Sequence, residues 1–311
     1  MDIYKNKLEE YEKPNGNKLS KNSIDLYVRN IKMLVDKHGY DWKIINLNDF
    51  FDSKKFTPET SKSYMNSIIN YLKMFEYSPE VIKIYIQHRD SFEKIIQNKP
   101  KLTDKKKLNL VEWDDIIKWY NLVKKENQLK YDLNKLSRFD LQTELLLCLY
   151  ITFPRRNELA DLKSVCMDYS VDLELLDDKD IPDNCMVKHP DNKYSLVLSE
   201  FKTSESFGRQ IFEIPEELTE LNHLIDAFFE IGATEGECIF LDTKGNPLSR
   251  LNLTKTLQRS SKRLLDGKSI STNMIRHSFN QSKFGDMKEE LIKDSYVQGH
   301  SVGVKLAYYV I

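Results

Sequence analysis

Cysteine is scarce and scattered. Cys148, Cys166, Cys185 and Cys238 are the only four, and none forms a CxxC pair. That excludes the paired-cysteine pattern of a structural zinc site and leaves no disulfide framework, so a reducing, intracellular compartment is expected. No apolar run reaches the roughly 20 residues of a membrane span. The opening "MDIYKNKLEE" lacks the pattern of a signal peptide. Neither a membrane nor an export route is therefore expected. A Walker loop, a GxGxxG turn and a metal-spaced cluster of His, Cys, Asp or Glu are all missing, so no cofactor is expected. The chain has no internal repeat and no low-complexity segment. It also lacks a strong net charge, standing at −1.

What is present fits a globular protein: 311 residues, 40% hydrophobic and 31% charged, enough for two domains. The charge is unevenly spread. Residues 1–110 hold 21 Lys+Arg against 15 Asp+Glu, and the remainder holds 26 against 33. Much of that acidity lies in "VDLELLDDKDIPDN", 171–184, which reads as one acidic loop. Net charge bears on solubility and encounter rather than on fold, so a polyanionic partner remains open if the basic residues share a groove.

Residues 1–98 read as a small all-helical domain. Ile24, Tyr27, Val28, Ile31, Leu34 and Val35 follow helical spacing between a Ser20 cap and a Gly39 stop. Thr57 and Pro58 open a second helix with a stripe of Tyr64, Ile68, Tyr71, Leu72 and Phe75, and a third covers 79–97. The basic stretch 99–109, "KPKLTDKKKLN", reads as an interdomain linker or a solvated loop. From 110 to 311 the chain is mainly helical with a small sheet. "VEWDDIIKWYNLV" and "SRFDLQTELLLCLYITF" are helical. "KYSLVLSEFK" and "RQIFEI" alternate as two hairpin arms around "TSESFG". Helices are expected near 216–230, 251–265, 272–284, 288–298 and 303–311. The fold class is therefore mainly α with a small β-sheet, α+β.

Four stretches of this second domain hold reactive side chains. "TFPRRNELADL" places Arg155 and Arg156 after a long apolar helix, followed by Glu158; an arginine there is also an ordinary surface residue. "SEFKTSE" puts Lys202 at the end of a strand, where lysines are usually solvated. In "TNMIRHSF", Asn273 and Arg276 are three apart and share a helix face, while His277 points elsewhere. "GHSVGVKLAYYVI" closes the chain with His300, Tyr308 and Tyr309, and its Val302, Leu306 and Tyr309 also suit the apolar face of a last helix. Arginines fork onto phosphate oxygens, lysine or histidine can donate a proton to a leaving oxygen, and tyrosine can be a covalent nucleophile.

In order and spacing these boxes resemble the tyrosine recombinases, the phage-type integrases, over most of the chain. "TFPRRNELADLK" is similar to that family's first arginine box, whose register gives Arg155 as catalytic and Glu158 as a supporting residue. "SEFKT" resembles its β-hairpin lysine, Lys202. "NMIRHSF" resembles its second box, giving Arg276. "GHSVGVKLAYY" resembles its Gly-His box with the nucleophile nine residues on, giving His300 and Tyr309, with Tyr308 a packing residue. "LSKNSIDLYVRNIKMLV" resembles the helical core-binding (SAM-like) domain that clamps DNA. Asn273 stands where the family has histidine; it can hydrogen-bond a phosphate oxygen but cannot act as a base. Pro154 replaces a small apolar residue, the usual preceding glycine is missing, and only two residues follow Tyr309.

The resemblance implies site-specific recombination of double-stranded DNA without metal or ATP. Tyr309 attacks a phosphate to give a 3′-phosphotyrosyl link. Arg155 and Arg276 hold the non-bridging oxygens, Lys202 protonates the leaving 5′ oxygen, and His300 and Asn273 complete the hydrogen bonding. It also implies a homotetramer on two sites and a mobile element or virus as owner. Lys99, Lys101, Lys105, Lys106 and Lys107 in the linker are candidate DNA-backbone contacts. So are Lys255, Arg259, Lys262 and Arg263, which periodicity spreads over more than one helix face. The rival readings are a type IB topoisomerase-like enzyme, a degenerate recombinase that binds DNA without cutting, and a helical interaction protein.

Overall fold

A computed structural model of the chain describes residues 1–12, 18–40, 42, 44–98, 111–168, 172–177, 180–181, 183–230 and 236–297. Two compact units divide it, 1–101 and 102–311. Mostly helical, with one small mixed sheet, the architecture is α+β. None of the described helices is long and apolar enough to cross a membrane.

Among the described residues the first unit has five helices: α1 (Asp2–Glu10), α2 (Lys21–His38), α3 (Ile44–Ser53), α4 (Pro58–Met74) and α5 (Pro79–Asn98). The expected start and stop signals operate. Ser20 Oγ accepts from the Ser23 N–H, Thr57 Oγ1 accepts from Thr60, and Gly39 closes α2 at φ 59° with its N–H on the Val35 carbonyl. The helices α1 and α3 were not foreseen. Tyr4 and Leu8 of α1 and Leu47, Phe50 and Phe51 of α3 bury into a core shared with Ile31, Leu34, Tyr64, Met65, Ile68 and Leu72.

In the second unit, α6 (Trp113–Asp132) and α7 (Arg138–Thr152) precede a 3₁₀ turn, Asn157–Asp161. Ser137 and Asp140 form a reciprocal capping box at the start of α7. Strands β1 (Lys163–Cys166), β2 (Asn184–Lys188), β3 (Tyr194–Leu198) and β4 (Gln210–Ile214) lie in that order in the sheet. The β1–β2 pair is parallel, and β3 pairs antiparallel with both β2 and β4. A short helix, α8 (Ser204–Phe207), sits inside the β3–β4 connection. Among the described residues three longer helices follow: α9 (Thr219–Glu230), α10 (Arg250–Leu264) and α11 (Thr272–Val297).

Strand alternation divides the sheet's side chains between two cores. Met186, Tyr194, Leu196, Leu198 and Ile214 face the main helical core. Cys185, Val187 and Val197 face a smaller one. The acidic segment is not simply a loop. It contains a 3₁₀ turn, Leu173–Leu175, and its Leu173 and Ile181 cover the sheet's second face. Its last residue, Asn184, already belongs to β2. A second correction concerns α11, one continuous helix where two were expected, over 272–284 and 288–298. The interior Gly285 carries no turn, because one glycine costs a helix only about 1 kcal/mol. The helix expected at 303–311 lies outside the described residues.

Candidate active site

The site begins where α7 must stop. Pro154 has no N–H to continue the ladder, and the Arg155 N–H turns back onto the Phe153 carbonyl at 2.6 Å. The 3₁₀ turn that follows is anchored from below by Leu159, Ala160 and Leu162, all in the main core. Tyr150, in the last turn of α7, is fully buried, and its hydroxyl donates to the Arg156 carbonyl at 2.6 Å. The "PRRNE" stretch is thus folded back over the helix end and fixed there.

Within it, Arg155 Nε lies 3.2 Å from Glu158 Oε1. The pair attracts as an ion pair, but the angle is wrong for a hydrogen bond, so the buried Nε has no acceptor among the described residues. The guanidinium lies over two aromatic rings, 4.9 Å from the centre of Phe201 and 5.7 Å from that of Phe212. Such stacking holds a cation while leaving its edge donors free. Phe201 immediately precedes Lys202, so the β3–β4 connection is tied to Arg155. Lys202 itself lies in the turn beyond β3, exposed to solvent.

The second box arrives on α11. Its first residue, Thr272, donates its hydroxyl to the Asn157 side-chain oxygen, and Ile275 sits in the main core. Ser278 donates to the Val111 carbonyl at 2.6 Å. These contacts set the rotation of the helix, and Arg276 Nε reaches the Pro154 carbonyl at 3.1 Å. The Arg276 guanidinium is pushed below its ordinary pKa, first by burial and then by the positive charges of Arg156 and Arg155, with Glu158 opposing. Burial raises the Tyr150 phenol well above its ordinary value, with the Glu158 charge as a further cause, so it stays a neutral donor. Asn273 is exposed in the first turn of the same helix.

Three of the four boxes therefore converge: Arg155 and Glu158, the connection bearing Lys202, and Arg276. His300 and Tyr309 lie outside the described residues, as do Lys99, Lys101, Lys105, Lys106 and Lys107. On α10, Lys255, Arg259 and Lys262 are exposed at positions four and three apart and form one stripe. Arg263 points off that stripe and makes a forked pair with Glu126 of α6, with Nη2 to Oε2 at 2.7 Å. Its guanidinium is committed to holding two helices together. The roles of Tyr150, Phe201, Phe212 and the Thr272–Asn157 link were not visible beforehand, since a buried tyrosine and two sheet phenylalanines carry no sequence mark of their neighbours.

Glu158 is the carboxylate that balances this cluster, and its side chain is 7% exposed. Replacing it by alanine leaves a partly buried arginine without its counter-charge, which costs about 3 kcal/mol. For a unit of this size that is a fall in Tm on the order of 10 °C. An unchanged melting temperature in Glu158→Ala would show that the pair holds nothing together.

No protein-family model matches the chain, and no curated protein does. The solved structures to which the chain is similar include two recombinases. One is described as XerA recombinase, at 12% identity over 99% of this chain and 94% of that one, with a TM-score of 0.37. The other is XerH site-specific recombinase bound to palindromic difH substrate in a post-cleavage complex, at 14% identity over 93% of this chain and 76% of that one, with a TM-score of 0.49.

Proposed function

We propose that the chain is a site-specific DNA recombinase that cuts and rejoins strands through a 3′-phosphotyrosyl intermediate. The observation that carries the reading is the convergence of Arg155, Glu158 and Arg276, with the Lys202 turn tied to Arg155 through Phe201. Two guanidinium groups fixed by packing suit a phosphate that gains charge as a fifth oxygen approaches, and donors placed in advance need no reorganisation at that moment. In the proposed step the Tyr309 phenol gives its proton to water, its oxygen bonds to phosphorus, and the bond from phosphorus to the 5′ oxygen breaks. Lys202 gives its proton to that leaving oxygen. The tyrosyl ester keeps the phosphodiester's energy, so a 5′ hydroxyl of another strand reverses the step with no further reactant. A homotetramer on two duplexes, with the Lys255, Arg259 and Lys262 stripe on backbone phosphates, completes the proposal. Phosphate contacts of that kind make binding fall steeply with salt.

The test is covalent capture. Protein is incubated with supercoiled plasmid in EDTA without nucleotide, quenched in detergent, and assayed for DNA-linked protein. An adduct that forms under these conditions, and products joining two DNA sites, are expected. Relaxation of supercoils with no joined products would favour a topoisomerase-like enzyme instead. Salt-sensitive binding with no adduct on any DNA would make the chain a binding module, the outcome that Asn273 in place of histidine favours.

A further inference from the structure

One charged group of the cluster has no assigned work. Arg156 is half-buried, and no described residue offers its guanidinium a carboxylate. Its position is not loose. Its carbonyl is held by the buried Tyr150 hydroxyl, and Arg276 is held two residues away on the Pro154 carbonyl. Of the two neighbouring arginines, Arg156 bears more heavily on Arg276 than Arg155 does. Arg155 and Arg156 thus both act on Arg276, and the carboxylate that opposes them there is Glu158, buried beside Arg155. Like charges held together in a partly buried place repel, and an anion seated among them relieves the repulsion.

We infer that Arg156 is a third phosphate-holding residue of this site, joining Arg155 and Arg276 on the non-bridging oxygens. The inference rests on the phosphoryl-transfer reading above. It also bears on Asn273. A histidine there would carry a charge that titrates near neutral pH, whereas a guanidinium stays charged throughout the working range. The ordinary alternative is a surface arginine, and the half-burial of Arg156 speaks against it.

Inorganic phosphate is the probe, because it needs no knowledge of the DNA target. The full chain is titrated with phosphate while Tm and the phosphorus NMR line width are followed. Wild type is compared with Arg156→Gln, Arg156→Lys, Arg155→Gln and Arg276→Gln, and with Arg89→Gln in the other unit as a control. Arg156→Gln should weaken phosphate binding on the order of tenfold, as loss of a charge-assisted hydrogen bond does. Lysine should restore part of it, as a point charge without the fork. Without phosphate, Arg156→Gln should melt no lower than wild type, because it removes a repulsion; a merely structural arginine would lower it. If Arg155→Gln and Arg276→Gln lose phosphate while Arg156→Gln binds like wild type, the phosphate site stands and Arg156 is not part of it. If wild type shows no response, or none of the three variants changes it, the inference fails together with the reading of the pocket.

Discussion

Arg276→Ala should abolish strand cutting while leaving DNA binding largely intact. Two properties of the side chain separate the effects. It is a fixed donor, held at 3.1 Å on the Pro154 carbonyl and partly shielded from water, so what it offers a phosphate grows as charge develops in the transition state. Loss of one such donor costs about 10²- to 10³-fold in rate. Duplex affinity instead sums over many backbone contacts, of which the α10 stripe supplies exposed candidates, and one contact among them changes it little. Folding should survive. The variant loses one hydrogen bond, worth about 1 kcal/mol, but also sheds a desolvated charge that Arg155 and Arg156 repel. Arg276→Lys should cut nearly as poorly, because an ammonium cannot fork onto two oxygens. Adduct formation on plasmid, a binding titration and a melting curve on the same preparations check all of this. Equal collapse of binding and cutting would remove Arg276 from the chemistry.

Much of the fold was legible because local signals and tertiary packing agree. Ser20, Gly39, Thr57 and Pro58 end their helices as their side chains and φ preferences dictate, and "KYSLVLSEFK" with "RQIFEI" forms the alternating pair β3–β4. Illegible elements draw their stability from elsewhere. Strands β1 and β2 are four and five residues long, and β1 is held by parallel pairing across a long connection, which leaves no local trace. In α1 only Tyr4 and Leu8 are buried, too short a stripe to declare a period. The candidate site divides in the same way. Box spacing named Arg155, Glu158 and Arg276, which the structure brings near one another. The parts that orient them were not named, because Tyr150 meets Arg156, and Phe201 and Phe212 meet Arg155, only after helix, turn and sheet have closed on one another.

The sharpest result should come from the two adjacent tyrosines at 308 and 309. Consecutive side chains leave the backbone in different directions, about 100° apart on a helix and to opposite faces on a strand, so one phosphate is reached by one of them only. Tyr309→Phe keeps the ring and removes only the phenol oxygen. If that oxygen is the nucleophile, adduct formation should fall by more than about 10⁴-fold, as loss of a covalent nucleophile does elsewhere. DNA binding should be unchanged, since a phenol contributes little to phosphate electrostatics. Tyr308→Phe should cut like wild type. The loss should also be non-additive: Tyr309→Phe combined with Arg276→Ala should be no worse than Tyr309→Phe alone, because the arginine stabilises a transition state that the single variant can no longer form. An adduct lost in Tyr308→Phe and kept in Tyr309→Phe would shift the nucleophile by one residue. An adduct that survives both substitutions would end the phosphotyrosyl reading, since no other tyrosine stands in the register that the Gly299–His300 pair sets.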